Sequence, residues 1–256
     1  MSVLSVSKTS PAMSEAEWSA RCDLAALYRL MAHFRMTDLI DTHLTARLPD
    51  QPDRFLINRY GVMFHEMRAS DLVKIDHEGN LCDDQAGLTV DDVNAAGFVI
   101  HSAVHAARHD LNVVIHTHTA AGMAVSAQED GLLPITQHAL KYYGCLSYHD
   151  YEGIALDLDE RERLVRDLGQ NRAMILRNHG LLVGGPTVAE AFHEIYFLER
   201  ACQAQVQAQA GGAKLRFPSE AVCRRTAAQY VAEGATALKQ LAWQSALRLI
   251  DTSHIA

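Results

Sequence analysis

The stretch Val113-Val114-Ile115-His116-Thr117-His118 is the most informative in the chain. Three β-branched residues in a row favour an extended strand, whose side chains alternate between two faces. Val114, His116 and His118 therefore share one face, and two imidazoles project together. Upstream, Asn94 is an N-cap candidate for a helix running through His109, ended by the turn-forming Asp110. Further back, Phe55–Asn58 and Leu72–Asp76 are short β-rich runs bounded by Gly61, Asp71 and the Glu78-Gly79-Asn80 turn, which suits a hairpin or meander. Near the start, Ser14 and Glu17 have the spacing of a capping box, and Leu24, Leu27, Tyr28 and Met31 follow at helical intervals.

Downstream, a short helix over Gly122–Gln128, a loop through Pro134 and a segment around Tyr148 lead to a second strand pair. Ala173–Leu176 and Leu181–Val183 flank a sharp Asn178-His179-Gly180 turn, with a histidine at its corner. Thr187 and Glu190 have capping-box spacing and open a long helix with Phe192, Ile195, Leu198, Cys202 and Val206 on its inner stripe, closed by Gly211-Gly212. A last helix is predicted over 219–250. Strands and helices interleave without internal repeat, which predicts one mixed α/β layered domain over 14–256 behind a disordered lead at 1–13.

Composition narrows the function. In 256 residues there is no apolar run of membrane-spanning length, and the first 13 residues do not read as a signal peptide; the expectation is a cytoplasmic protein with no membrane partner. A formal charge of -8, with no basic cluster beyond Arg224-Arg225, argues against nucleic acid. The five cysteines are scattered and never in a C-x-x-C pair, which fits reduced thiols better than disulfides or a thiolate zinc site. Fourteen histidines are about twice ordinary usage.

His116-Thr117-His118 on a strand and His179 on a turn could supply three neutral nitrogens to a divalent ion while leaving positions open for a substrate. The competing reading is half-buried histidines with ordinary hydrogen bonds. A rival set, His101, His105 and His109, has i, i+4, i+8 spacing on one helix face, but its third member lies a full turn further on, and a polar face with one or two satisfied histidines explains it better. His65-Glu66 reads as a solvated loop. No G-x-S-x-G, P-loop or G-x-G-x-x-G pattern occurs, and Gly184-Gly185-Pro186 is a turn rather than a phosphate cradle.

Four segments in order, Phe55–Asp76, Asn94–Ala127, Tyr148–Leu156 and Met174–Cys202, resemble the class II aldolase/adducin N-terminal domain family over roughly residues 20–215. Within it, the likeness is strongest to bacterial aldolase class 2 proteins and the adducin head domain. The resemblance implies a three-layer α/β/α fold with a central, mainly antiparallel sheet, and homo-oligomers, often tetramers, with sites at subunit interfaces. It also implies zinc, or another divalent ion such as manganese, on His116, His118 and His179, where it would chelate a hydroxy-carbonyl substrate and stabilise an enediolate.

Three departures from the family pattern stand out. Gly97 occupies the place of the aldolases' acid/base glutamate, Thr42-His43 stands where a phosphate-binding Gly-Asn would be, and Gln137-His138 falls where a catalytic tyrosine would be. His101 and His138 are the candidate replacement acid/base groups. Tyr230 matches a family tyrosine that can reach a neighbour's site, but helix packing is its expected role. The resulting expectation is a metal-dependent lyase that breaks a carbon–carbon bond, by aldol cleavage or decarboxylation, in a small polar, non-phosphorylated molecule. The alternative is a non-catalytic, metal-binding or oligomeric adducin-like module.

Overall fold

A computed structural model describes residues 13–82, 87–153, 160–232 and 236–255. In chain order the elements are α1 (Glu15–His33), β1 (His43–Leu48), β2 (Gln51–Asn58), β3 (Leu72–Asp76), α2 (Ala95–Ala107), β4 (Val113–Thr117), α3 (Ala120–Ser126), α4 (Gln137–Leu140), β5 (Leu146–His149), α5 (Glu160–Leu168), β6 (Ala173–Leu176), β7 (Gly180–Gly185), α6 (Val188–Gln209), α7 (Glu220–Ala232) and α8 (Thr236–Ala246). The seven strands form one sheet in the order β3-β2-β1-β4-β7-β6-β5, antiparallel throughout except for the β5/β6 pair. The β-branched run 113–117 thus becomes the central strand, paired on both edges.

Alternation along the strands builds a core on each face of the sheet, with a further small cluster of Phe55, Ile57, Val73 and Ile75 on β2 and β3. Leu44, Ala46, Val113, Ile115, Leu181, Val183, Ala173 and Ile175 face α1 and α6, whose Leu24, Leu27, Ile195 and Leu198 complete that core. Val114, Leu182, Met174 and Leu176 face the other way, against Ile100 and Val104 of α2 and Leu164 and Leu168 of α5. Helices therefore cover both faces, giving the expected three-layer α/β/α architecture. Among the described residues no helix is long and apolar enough to cross a membrane.

Several local expectations need correcting. Ser14 does cap α1, accepting from the Glu17 backbone N–H at 3.0 Å, but the Glu17 carboxylate does not complete the box. It is buried with Arg21 and Lys74, whose nitrogens approach it to 2.9 and 2.8 Å, and an ion pair is the stronger partner for a desolvated carboxylate. Thr187 caps α6 in the same way, while the Glu190 carboxylate faces Arg172 and Lys239.

The helix predicted to reach His109 ends at Ala107, leaving His109 exposed, and the short helix spans Ala120–Ser126, because Thr119 rather than a later residue caps it. The helix expected over 219–250 is described as α7 and α8, with 233–235 outside the described residues and a 3-10 turn at Leu247–Leu249. The lead, apart from Met13, likewise lies outside the described residues. β1, α4 and α5 are elements that the sequence does not announce, and the segment around Tyr148 is strand β5.

Candidate metal centre

His116 is the penultimate residue of β4, and His118 follows the strand end, where Thr119 turns the chain into α3. His179 arrives from the β6–β7 turn. Asn178 there adopts φ +54°, a left-handed conformation that asparagine tolerates, and the turn is closed by the His179 N–H donating to Leu176 O at 3.1 Å. Gly180 lets β7 start directly against the end of β4, since a Cβ there would stand 2.2 Å from the Thr117 carbonyl. These two backbone devices bring the third imidazole to the first two.

The three rings converge through their Nε2 atoms, with His116 to His118 at 2.8 Å and His118 to His179 at 2.9 Å. Their partners define what those atoms can do. His116 Nδ1 lies 3.0 Å from Leu181 O, and a carbonyl only accepts, so Nδ1 carries the proton and Nε2 the lone pair. His118 Nδ1 donates in the same way to Asp38 Oδ2 at 3.0 Å. Burial first, and then the neighbouring His179 and His118, hold His116 well below the usual histidine range. Burial and then His118 lower His179 to about 4.

With Nδ1 of His116 and His118 committed as donors, their Nε2 lone pairs face each other at 2.8 Å, which is repulsive unless a cation sits between them. A proton bridges two nitrogens at a time, whereas a metal ion serves all three; the donor set therefore fits a divalent ion. His116 is buried while His118 and His179 are partly exposed, so the cluster opens to solvent on one side. The Tyr151 ring stands 6.2 Å from His179 on that open side, half exposed. A closed structural site would instead be expected to supply a fourth protein ligand.

The rival histidines behave differently. His101 and His105 are fully buried on α2, and both reach one hydroxyl: Thr45 Oγ1 lies 2.7 Å from His101 Nδ1 and 2.7 Å from His105 Nε2, donating to one ring and accepting from the other. His109 is not brought to them. His65 and Glu66 are exposed, as a solvated loop should be. Between His101 and His116 stands His43, whose ring lies 5.8 Å from that of His101 and 6.5 Å from that of His116. His138, on α4, packs on Phe197 and lines a cavity of about 970 Å³ with Lys141, His193 and Glu194; none of the triad lines that cavity. Tyr230 reaches Gln137 at 3.4 Å, a helix-packing contact.

Two residues of the site escaped sequence reading. Asp38 orients His118 from a loop and carries no motif. Glu199, buried on α6, accepts from Thr119 Oγ1 and so braces the residue after His118; burial raises its carboxyl. Its only sequence signal is a carboxylate among the apolar positions of a helix.

A three-layer α/β/α sheet with three imidazoles at the end of its central strand defines a protein with a facial, open histidine site. This chain belongs to the class II aldolase/adducin family: the family model "Class II Aldolase and Adducin N-terminal domain" matches residues 22–206. A solved aldolase II superfamily protein from Pseudomonas syringae is 50% identical, with TM-score 0.91 over 96% of this chain and 98% of that one. L-fuculose 1-phosphate aldolase from Glaciozyma antarctica is 27% identical, with TM-score 0.79 over 93% and 92% of the two chains. Alpha-adducin of Mus musculus is 45% identical over 78% of this chain, which spans 27% of that longer protein.

Proposed function

We propose that this protein is a metal-dependent lyase that breaks a carbon–carbon bond next to a carbonyl or carboxylate in a small polar, non-phosphorylated molecule. The observation that carries the reading is the convergence of three Nε2 atoms, two of them with Nδ1 already committed as a donor. His116, His118 and His179 would hold the ion, zinc or another divalent metal such as manganese. When bound, it supplies a Lewis acid that stabilises negative charge developing beside a carbonyl.

The chain's own residues supply the rest. Asp38 and Leu181 O fix the tautomers of His118 and His116, and partly exposed His118 and His179 leave a side open for substrate. His101 is the proposed proton-transfer group from within the subunit. His138 is proposed to act across an interface between copies, because its cavity lies apart from its own triad. That role agrees with a homo-oligomer, in the size range of a tetramer, and so do the exposed Val231, Leu238 and Leu241. A cytoplasmic setting completes the proposal, with the five cysteines as thiols.

The experiment is a screen of hydroxy-acids and hydroxy-aldehydes for metal-dependent release of an aldehyde or carbon dioxide. The expected result is turnover that disappears in H116A/H118A and falls in H138A. Unchanged turnover in H138A would remove His138 from the site. The likeness to alpha-adducin favours a second reading, a non-catalytic binding module; metal-loaded protein silent across the screen would support it.

A further inference from the structure

Residues 43 and 97 compete for one volume beside the triad. His43 and His116 are directly opposed partners on β1 and β4, so their side chains stand together on the sheet face that α2 covers. Their rings are nearly parallel, 15° apart, with centroids 6.5 Å apart. Above them α2 passes with Gly97, and a Cβ at that position would lie 2.3–2.4 Å from three atoms of the His43 ring. An imidazole at 43 and any side chain at 97 therefore exclude each other in this arrangement. Here the space belongs to His43.

The cost of that arrangement points to a ligand. His43 is only 4% exposed, yet neither of its ring nitrogens has a hydrogen-bond partner among the described residues. An apolar side chain of similar size would pack there without two unpaired polar atoms. The preceding residue adds strain: Thr42 is β-branched, buried and held at φ +69°, a region that such residues rarely occupy. Unpaired polarity and backbone strain on consecutive residues, beside a metal-type cluster, are features that function retains and packing alone would remove.

We propose that His43 is the ligand-contacting imidazole of this centre, standing where a side chain on residue 97 would otherwise stand. Its free nitrogen meets an oxygen of a small chelating hydroxy-acid or hydroxy-carbonyl molecule. The inference rests on the triad being a metal centre.

The test uses the full chain loaded with cobalt(II), whose absorption reports coordination, and titrates it with oxalate, a chelating dianion that keeps oxygens free of the metal. His43→Leu should retain its metal and a Tm at or above that of the parent, and bind oxalate about 10-fold or more weaker, the loss of one hydrogen bond to a charged group. His43→Gln should recover part of that loss. Gly97→Ala, which displaces the ring without changing its chemistry, should weaken oxalate while keeping metal, and it carries the test together with H43Q if H43L does not fold. Parent-like oxalate affinity in metal-loaded H43L and G97A would overturn the inference. So would metal loss in H43L, which would make His43 part of the ion's own support. If the parent protein takes up no metal, the triad reading has failed and the His43 role falls with it.

Discussion

Two groups of histidines stand on the same side of the sheet, and only one of them gathers its free nitrogens. At the end of β4, His116, His118 and His179 spend Nδ1 on outside partners or leave it aside, and turn Nε2 toward a common point. On α2, His101 and His105 spend facing nitrogens on one hydroxyl, Thr45 Oγ1, and their other nitrogens do not converge. Both groups look like ligand sets in the sequence. What separates them is the atom each ring has left over, and where it points.

The comparison breaks most visibly on acidification. His43, His105 and His179 are held to about 3, 3 and 4, and His101 and His116 are well below the usual range, all through burial first. Unfolded, these rings take up protons near pH 6.5, while the folded protein keeps them neutral. The unfolded state thus binds more protons at lower pH, so stability is complete above about 6.5 and falls as pH drops toward 4. Each ring contributes up to about 1.4 kcal/mol per pH unit within that window. Urea unfolding of metal-free protein at stepped pH should show this decline, and a divalent metal should offset the triad's share only. Flat stability from pH 7 to 4.5 would contradict the assignment of neutral buried rings.

A smaller effect isolates the α2 pair. Thr45→Val keeps the side-chain shape but strips both imidazoles of their shared partner, and should cost about 2–4 kcal/mol in denaturant unfolding. Metal content should not change. Smaller still, Asp38→Asn should leave stability within about 0.5 kcal/mol, since its carboxylate is half exposed. It should nonetheless weaken metal binding about 10- to 100-fold in a competition titration, because it loosens the orientation of His118. Together the two variants sharpen the division: disturbing the α2 pair lowers stability and spares the ion, and disturbing the support of His118 does the reverse.

The regions also differ in how far the sequence reveals them. β4 is legible because Val113-Val114-Ile115 has a single sensible conformation, and the Asn178-His179-Gly180 turn because its chemistry is local. β1 alternates polar His43, Thr45 and Arg47 with apolar Leu44, Ala46 and Leu48, but a polar face of this kind suggests solvent rather than a buried central strand. Those polar side chains are buried by partners distant in sequence: Thr45 on His101 and His105, and Arg47 on the His105 carbonyl and Pro52 O. α5 shows only Leu164 and Leu168 as an apolar stripe, too few to announce a helix. Asp38 is set by a loop in which Leu39 adopts φ +48°, a geometry that no spacing encodes. Gly97 was visible only as a missing acid/base side chain; its steric meaning, room for the His43 ring, required the packing of α2 on β1.

The division between the two groups can be put to one measurement: elemental analysis of purified protein beside H116A/H118A and H101A/H105A. The expected result is close to one divalent ion per chain in the parent and in H101A/H105A, and almost none in H116A/H118A. Equal, near-zero metal in all three, or loss in H101A/H105A alone, would contradict the assignment of His116, His118 and His179 as the metal centre.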